Sequence, residues 1–219
     1  PTDISLSSSS FDENIDSGSV VASLSTTDED TSDTHNYELV SGDGDTDNAA
    51  FKIEGSELKI NSSPDYETQS SYNIRLKTTD SGGLSYGKAF SLTVNDVNER
   101  ARDINLSAFQ LNENIDPGSV LATLSTTDED ASDSHTYTLV SGTGDTDNAS
   151  FSVEGSNLKI NASPDYETKS SYSFRIKTTD SVGFSYEEAV TFNVNDLIDE
   201  TPTDISLSSS SFDENIDSG

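Results

Sequence analysis

The chain repeats itself. Asp28-Glu29-Asp30 recurs as Asp128-Glu129-Asp130, Pro64-Asp65-Tyr66-Glu67-Thr68 as Pro164-Asp165-Tyr166-Glu167-Thr168, and Lys77-Thr78-Thr79-Asp80 as Lys177-Thr178-Thr179-Asp180, each at an offset of 100 residues. Solenoid units run to about 20–50 residues and lean on their neighbours for a core, so a period this long implies whole domains in tandem. Pro202–Gly219 repeats Pro1–Gly18 without a change. The expected organisation is therefore one repeat over 1–100, a second over 101–201, and the first strand of a third over 202–219, all cut from a longer array. Because the last segment is identical to the one that opens the first unit, two outcomes are open to it: displacing that segment in another copy, or fraying or lying against Asp196–Glu200.

Within a repeat the hydrophobic period is two. Tyr72, Ile74 and Leu76 alternate with Asn73, Arg75 and Lys77, and Phe90, Leu92 and Val94 with Ser91, Thr93 and Asn95, the pattern of strands with one buried face. No amphipathic helix is visible. Strands are predicted around Ile4–Leu6, Val20–Ser25, Tyr37–Val40, Phe51–Glu54, Glu57–Ile60 and the two alternating runs, with Gly55-Ser56 as a tight hairpin turn. About seven short strands in about 100 residues predict an all-β, seven-stranded Greek-key sandwich of the immunoglobulin type. The two sandwiches are expected to join end to end.

Charge narrows the chemistry. In 219 residues there are 11 Lys and Arg against 41 Asp and Glu, a net charge of −30. Nucleic acid and anionic membrane surfaces require basic patches, so neither is an expected partner. No apolar run approaches the ~20 residues of a membrane span, and membrane insertion is not expected. There is no cysteine, hence no disulfide and no thiolate site, which disfavours zinc and leaves hard cations to offset the self-repulsion.

Strand parity sorts the acidic loops. If the first strand enters at the top of a sandwich and strands alternate in direction, Glu13, Asp65, Glu67 and Asp96 lie at the bottom, while Asp28, Asp30 and Asp80 lie at the top. The second repeat places Glu113, Asp165, Glu167 and Asp196 at its bottom and Asp128, Asp130 and Asp180 at its top. Joining units end to end would then bring the first set and the connector Asp96-Val97-Asn98-Glu99-Arg100 against Asp128, Asp130 and Asp180. So many carboxylates disfavour one another's ionisation unless a cation intervenes. Calcium suits such a set, since it takes about 6–8 oxygen ligands in irregular geometry, whereas magnesium demands a strict octahedron and keeps its waters.

Glu13-Asn14, Asp28-Glu29-Asp30, Asp65-Tyr66-Glu67, Thr79-Asp80 and Asp96-Val97-Asn98-Glu99, each with its copy in the second repeat, resemble the calcium motifs of cadherin repeats in their bacterial form. The resemblance covers both units. It implies that Glu13 and Glu67 bridge ions, that Asp65 and Asp96 complete a lower site, and that Asn98, Asp128, Asp130 and Asp180 hold an upper one. Val97 and Arg100 would offer only carbonyls. Glu99 stands where the family usually has Asp, and Arg102 where it often has Pro. The second connector, Asp196-Leu197-Ile198-Asp199-Glu200, departs further, with Ile198 in the place of Asn98.

Other features carry less. Gly42–Asn48 with Glu54 mimics EF-hand spacing, but the second copy has Thr143 in place of Asp43, the glycine of the sharp turn is Asn48, and no flanking helix is visible. His35 and His135 sit in equivalent turns, one imidazole per unit without an obvious partner, and read as surface residues. Nothing resembles an activated nucleophile, so an enzyme is not expected. The reading is of calcium-stiffened cadherin-like repeats in a large extracellular adhesin, at the cell surface or secreted, serving cell adhesion. Its alternatives are a carbohydrate-binding or homophilic module that meets another copy of itself, and an accessory domain of an extracellular enzyme.

Overall fold

A computed structural model describes residues 1–197 and 205–206. The candidate ligand Asp199 lies outside the described residues, as does the expected third-repeat strand apart from Ile205 and Ser206, which belong to no strand. The chain divides into two compact units, Pro1–Arg100 with Glu129–Ser132, and Ala101–Asp128 with Asp133–Gly219. Both are all-β.

The first unit contains β1 (Asp3–Leu6), β2 (Ser10–Asp12), β3 (Val20–Thr27), β4 (His35–Leu39), β5 (Phe51–Glu54), β6 (Glu57–Ile60), β7 (Ser71–Asp80) and β8 (Ser85–Asn95). They form two four-stranded sheets in the orders β1-β3-β6-β5 and β2-β8-β7-β4. Alternation along β7 and β8 sends Ile74, Leu76, Leu92 and Val94 inward, where they meet Ile4, Leu24, Leu58 and Ile60 of the facing sheet. Fully burying such side chains contributes about 1.5–3 kcal/mol each, which is what holds the sheets face to face. Gly55 carries a φ of 64°, and the hairpin between Glu54 and Glu57 closes around it and Ser56. That left-handed conformation is one L side chains avoid.

The predicted first strand is in fact two. β1 pairs antiparallel with β3 and β2 pairs parallel with β8, so the chain changes sheets between Leu6 and Ser10. Ser8 makes the break: its hydroxyl donates to the Ser10 carbonyl at 2.6 Å and accepts the Ser10 amide at 3.1 Å, which satisfies backbone groups at the point where no ladder does. Phe11 then enters the core from the second sheet. A three-residue strand with one apolar residue carries too little alternation to be visible in sequence.

The second unit repeats the plan with β9 (Asp103–Leu106), β10 (Gln110–Asn112), β11 (Val120–Thr127), β12 (Thr136–Leu139), β13 (Phe151–Glu154), β14 (Asn157–Ile160), β15 (Ser171–Thr179) and β16 (Ser185–Asn195). Its sheets run β9-β11-β14-β13 and β10-β16-β15-β12. Its core places its aromatic rings differently, with Phe174 and Phe192, both fully buried, where the first unit has Ile74 and Leu92, and Leu111 where the first unit has Phe11.

The acidic loop over 42–48 is a hydrogen-bonding device of its own. Asp45 accepts the Gly42 amide at 3.0 Å, Asp47 accepts the Asn73 amide at 2.7 Å, and Asn48 accepts the Arg75 amide at 2.9 Å. Asp145, Asp147 and Asn148 repeat these bonds in the second unit. Asp47 and Asn48 thus tie the EF-hand-like loop to β7, and Asp147 and Asn148 tie its copy to β15.

Candidate metal centre

Glu13 organises the site in the first unit. Asn14 adopts a left-handed φ of 59°, tolerable for Asn, and its amide donates to the Pro64 carbonyl at 3.0 Å, which turns the chain inward just after β2. Glu13 is consequently 3% exposed although charged. Its two carboxylate oxygens accept the Tyr66 amide at 2.7 Å and the Val97 amide at 2.8 Å, pinning the loop after β6 and the connector after β8 to one point. Asp65 and Glu67 come with the first, Asp96 and Glu99 with the second.

The carboxylates therefore converge. Ligand atoms of Glu13, Asp65 and Glu67 lie within 4.8 Å of one another, and so do those of Glu67, Asp96 and Asp130. Asp130, in the stretch Glu129–Ser132 that packs with the first unit, accepts the Glu99 amide at 2.7 Å. Glu99 lies inside this group. One of its oxygens contacts the Asn14 side-chain amide, and the other, Oε2, is buried without any hydrogen-bond partner. Burial first, and then the charges of Glu13, Asp130 and Glu67, push the Glu99 carboxyl up to about 7. Glu67 is raised too, by burial and by Glu13, Asp96 and Asp130. A buried carboxylate oxygen with no donor, among carboxylates that raise one another, is the arrangement a hard cation relieves.

The remaining candidate ligands fall as follows. Val97 contributes its amide to Glu13, the Asn98 side chain donates to the Glu99 carbonyl at 2.6 Å, and Arg100 is exposed. In the second unit Glu113 is 1% exposed and accepts the Tyr166 amide at 2.9 Å and the Leu197 amide at 2.6 Å. Ligand atoms of Glu113, Glu167 and Asp196 come within 4.8 Å, while both oxygens of Asp165 are engaged by the Thr168 amide and hydroxyl at 2.9 Å.

The cluster at the other end of the first unit differs from expectation. It joins Asp28 and Asp80 to Asp33, not to Asp30. The turn in which the Asp33 amide donates to the Asp30 carbonyl at 3.0 Å carries Asp33 back toward Ser81, whose hydroxyl donates to it at 2.6 Å. Asp133 repeats this with Ser181 at 3.0 Å and has a buried oxygen, Oδ2, without a partner. The recurrence of Asp33 as Asp133 was the available signal. The histidines also have partners: His35 Nε2 lies 2.8 Å from Asp28 and His135 Nε2 lies 2.9 Å from Asp128. The hydrogen bond from His35 lowers the Asp28 carboxyl below its ordinary value. Asp180 Oδ1 accepts the amides of Val182, Gly183 and Phe184 at 2.9, 2.6 and 2.9 Å.

In the chain by itself, Glu99 makes stability depend on pH in a defined sense. Its carboxyl is raised from 4.5 to about 7, so between those values the folded chain holds a proton that the unfolded chain releases. The contribution is fully present below about pH 4.5 and is lost as pH rises through about 7. Urea midpoints measured in chelator from pH 4.5 to 8 are expected to fall more steeply for the native chain than for Glu99→Gln. Equal slopes would count against the assignment.

The comparisons with known proteins point one way. No family model matches the chain. Mouse protocadherin Fat 4 is 28% identical over 216 residues, 95% of this chain and 4% of that protein. Human protocadherin Fat 1 is 34% identical over 77 residues, 34% of this chain and 2% of that protein. The chain thus spans a small fraction of the relatives it matches. Among solved structures, human protocadherin-24 EC1-2 superposes with a TM-score of 0.64 at 20% identity, covering 89% of this chain and 98% of that one. The protocadherin γB4 extracellular domain gives 0.61 at 22% identity, with 89% of this chain and 32% of that one covered. Both units have the immunoglobulin-like sandwich fold of cadherin ectodomains, and their sequence is similar to that of protocadherins.

Proposed function

We propose that these domains bind calcium and serve as the stiffened repeats of an extracellular adhesin. The observation that carries the reading is the buried, partnerless Glu99 oxygen amid Glu13, Glu67, Asp96 and Asp130. Calcium would be held by those side chains and Asp65, and would supply the positive charge that lets them all ionise. Asn98, the carbonyls of Val97 and Arg100, and Asp28, Asp80, Asp128 and Asp180 with Asp33 and Asp133 are the further donors. Glu113, Asp165, Glu167, Asp196 and Asp199 would serve the second connector. Asp130 follows β11 in sequence, so an ion bound to it and to Glu67 would tie the second repeat to the first and limit bending between them. The role is mechanical and non-enzymatic, and it suits a bacterial surface or secreted protein that holds a binding tip away from the cell.

A second reading is that the repeats themselves recognise another copy or a carbohydrate; protocadherin γB7 EC3-6, a structural neighbour, forms a cis-dimer. Calcium titration followed by small-angle scattering separates the two. Calcium is expected to bind, to narrow the distribution of chain dimensions, and to do so at least about tenfold more weakly in Asp130→Ala, since each lost 1.4 kcal/mol is tenfold. Binding without any change in scattering would reject the rod and favour recognition.

A further inference from the structure

The two units differ at one place where they share a backbone. In the first, Lys88 of β8 lies across the side of the sandwich and its ammonium donates to Asp3 at 2.8 Å and to the Ile4 carbonyl at 3.2 Å, with the Phe90 ring centroid 5.3 Å away. Asp3 is oriented for this by the Ile4 amide, which donates to its Oδ1 at 2.8 Å. In the second unit Asp103 is held in the same way by the Ile104 amide at 3.0 Å, but Glu188 stands in the place of Lys88. The ammonium that the arrangement serves is missing from the chain's own sequence there.

The place is also concave. β10 pairs with β16 only from Gln110↔Asn193 onward, so the part of β16 before Asn193 borders β9 across a gap. That gap is a groove of about 320 Å³ with Ile104, Leu106 and Val190 among its walls and Asp103 and Glu188 on its polar side. Phe109, 55% exposed and with its ring centroid 6.4 Å from that of Phe192, forms an aromatic rim where the first unit has Ser9. Burial, and then the charge and hydrogen bond of Asp103, raise the Glu188 carboxyl. Two carboxyls over an apolar floor beside an aromatic face meet the needs of an alkylammonium: charge, acceptors, a slot for methylenes and a π surface.

We propose that the groove between β9 and β16 binds a primary alkylammonium group, with Asp103 and Glu188 as its counter-ions and Phe109 against its methylenes. The ligand takes the place that Lys88 fills in the first unit.

Amide NMR of the whole chain, titrated with n-butylammonium chloride against sodium chloride of equal ionic strength, tests this, because a strongly acidic chain attracts any cation weakly. Amides of residues 103–106 and 188–191 are expected to shift saturably with a Kd of ~1–10 mM, the range for so small a ligand, while those of 3–6 and 88–91 stay still. Glu188→Lys, which recreates the first unit's arrangement, and Asp103→Asn, which keeps the shape, should each weaken binding at least tenfold; the second variant carries the test if the first does not fold. Repeating the titration with an acetyl-Gly-Lys-Gly amide separates a protein lysine, which binds more tightly than n-butylammonium, from a free amine, which binds equally or better. Unsaturable shifts matching those of sodium chloride, or calcium displacing n-butylammonium from these amides at equal concentration, would overturn the proposal.

Discussion

Calcium at a hundred times its Kd is expected to raise the melting midpoint of the first unit by on the order of 10–20 °C over the same chain in chelator. A ligand that binds only the folded state at that concentration stabilises by about 2.7 kcal/mol, and 1 kcal/mol moves the midpoint of a domain of this size by about 4–8 °C. The direction follows from the site: Glu13 and Asp130 are fixed by backbone amides and cannot swing apart, so their mutual repulsion with Glu67 and Glu99 is built into the fold until a cation offsets it. Calorimetry at pH 7.5 with calcium, magnesium and chelator is the measurement. Coincident curves for calcium and chelator would end the metal reading, and an equal gain with magnesium would end the preference for calcium.

Phe174→Ala is expected to destabilise the second unit by about 3–5 kcal/mol, the range for removing a buried aromatic side chain. Phe174 is fully buried, with its ring centroid 4.6 Å from that of Phe151 and 5.7 Å from that of Phe192. Truncation leaves a space bordered by the rings of Phe151 and Phe192. Phe174→Ile should cost less, since the first unit carries Ile74 at this position, although it has Leu92 beside it where the second has Phe192. Urea unfolding followed by NMR, which resolves the two units, checks both. A loss of under 1 kcal/mol for the alanine variant would show that the second core collapses freely around the missing ring.

The parts of this structure legible in sequence are those where many residues repeat one instruction. β7 alternates over Ser71–Asp80 and β8 over Ser85–Asn95, and each inward residue independently fixes the same face. Strand parity likewise gathered Glu13, Asp65, Glu67 and Asp96, because it depends only on how many strands lie between them. What escaped depends on single contacts. β2 is three residues long, Asp33 displaces Asp30 through one turn, and His35 finds Asp28 only after its loop has folded. The burial of Glu99 is of the same kind, since nothing in Asn98-Glu99-Arg100 says that one of these side chains will be enclosed.

The split first strand has a mechanical consequence. β2 and β8 run parallel, with Ser10↔Thr93, Phe11↔Val94 and Asp12↔Asn95 in register, and they lie near opposite ends of the first unit's sequence. Tension applied through those two ends draws β2 and β8 past each other along their lengths. Their hydrogen bonds are then loaded together, in shear, where a hairpin peeled from its free ends would surrender them one at a time.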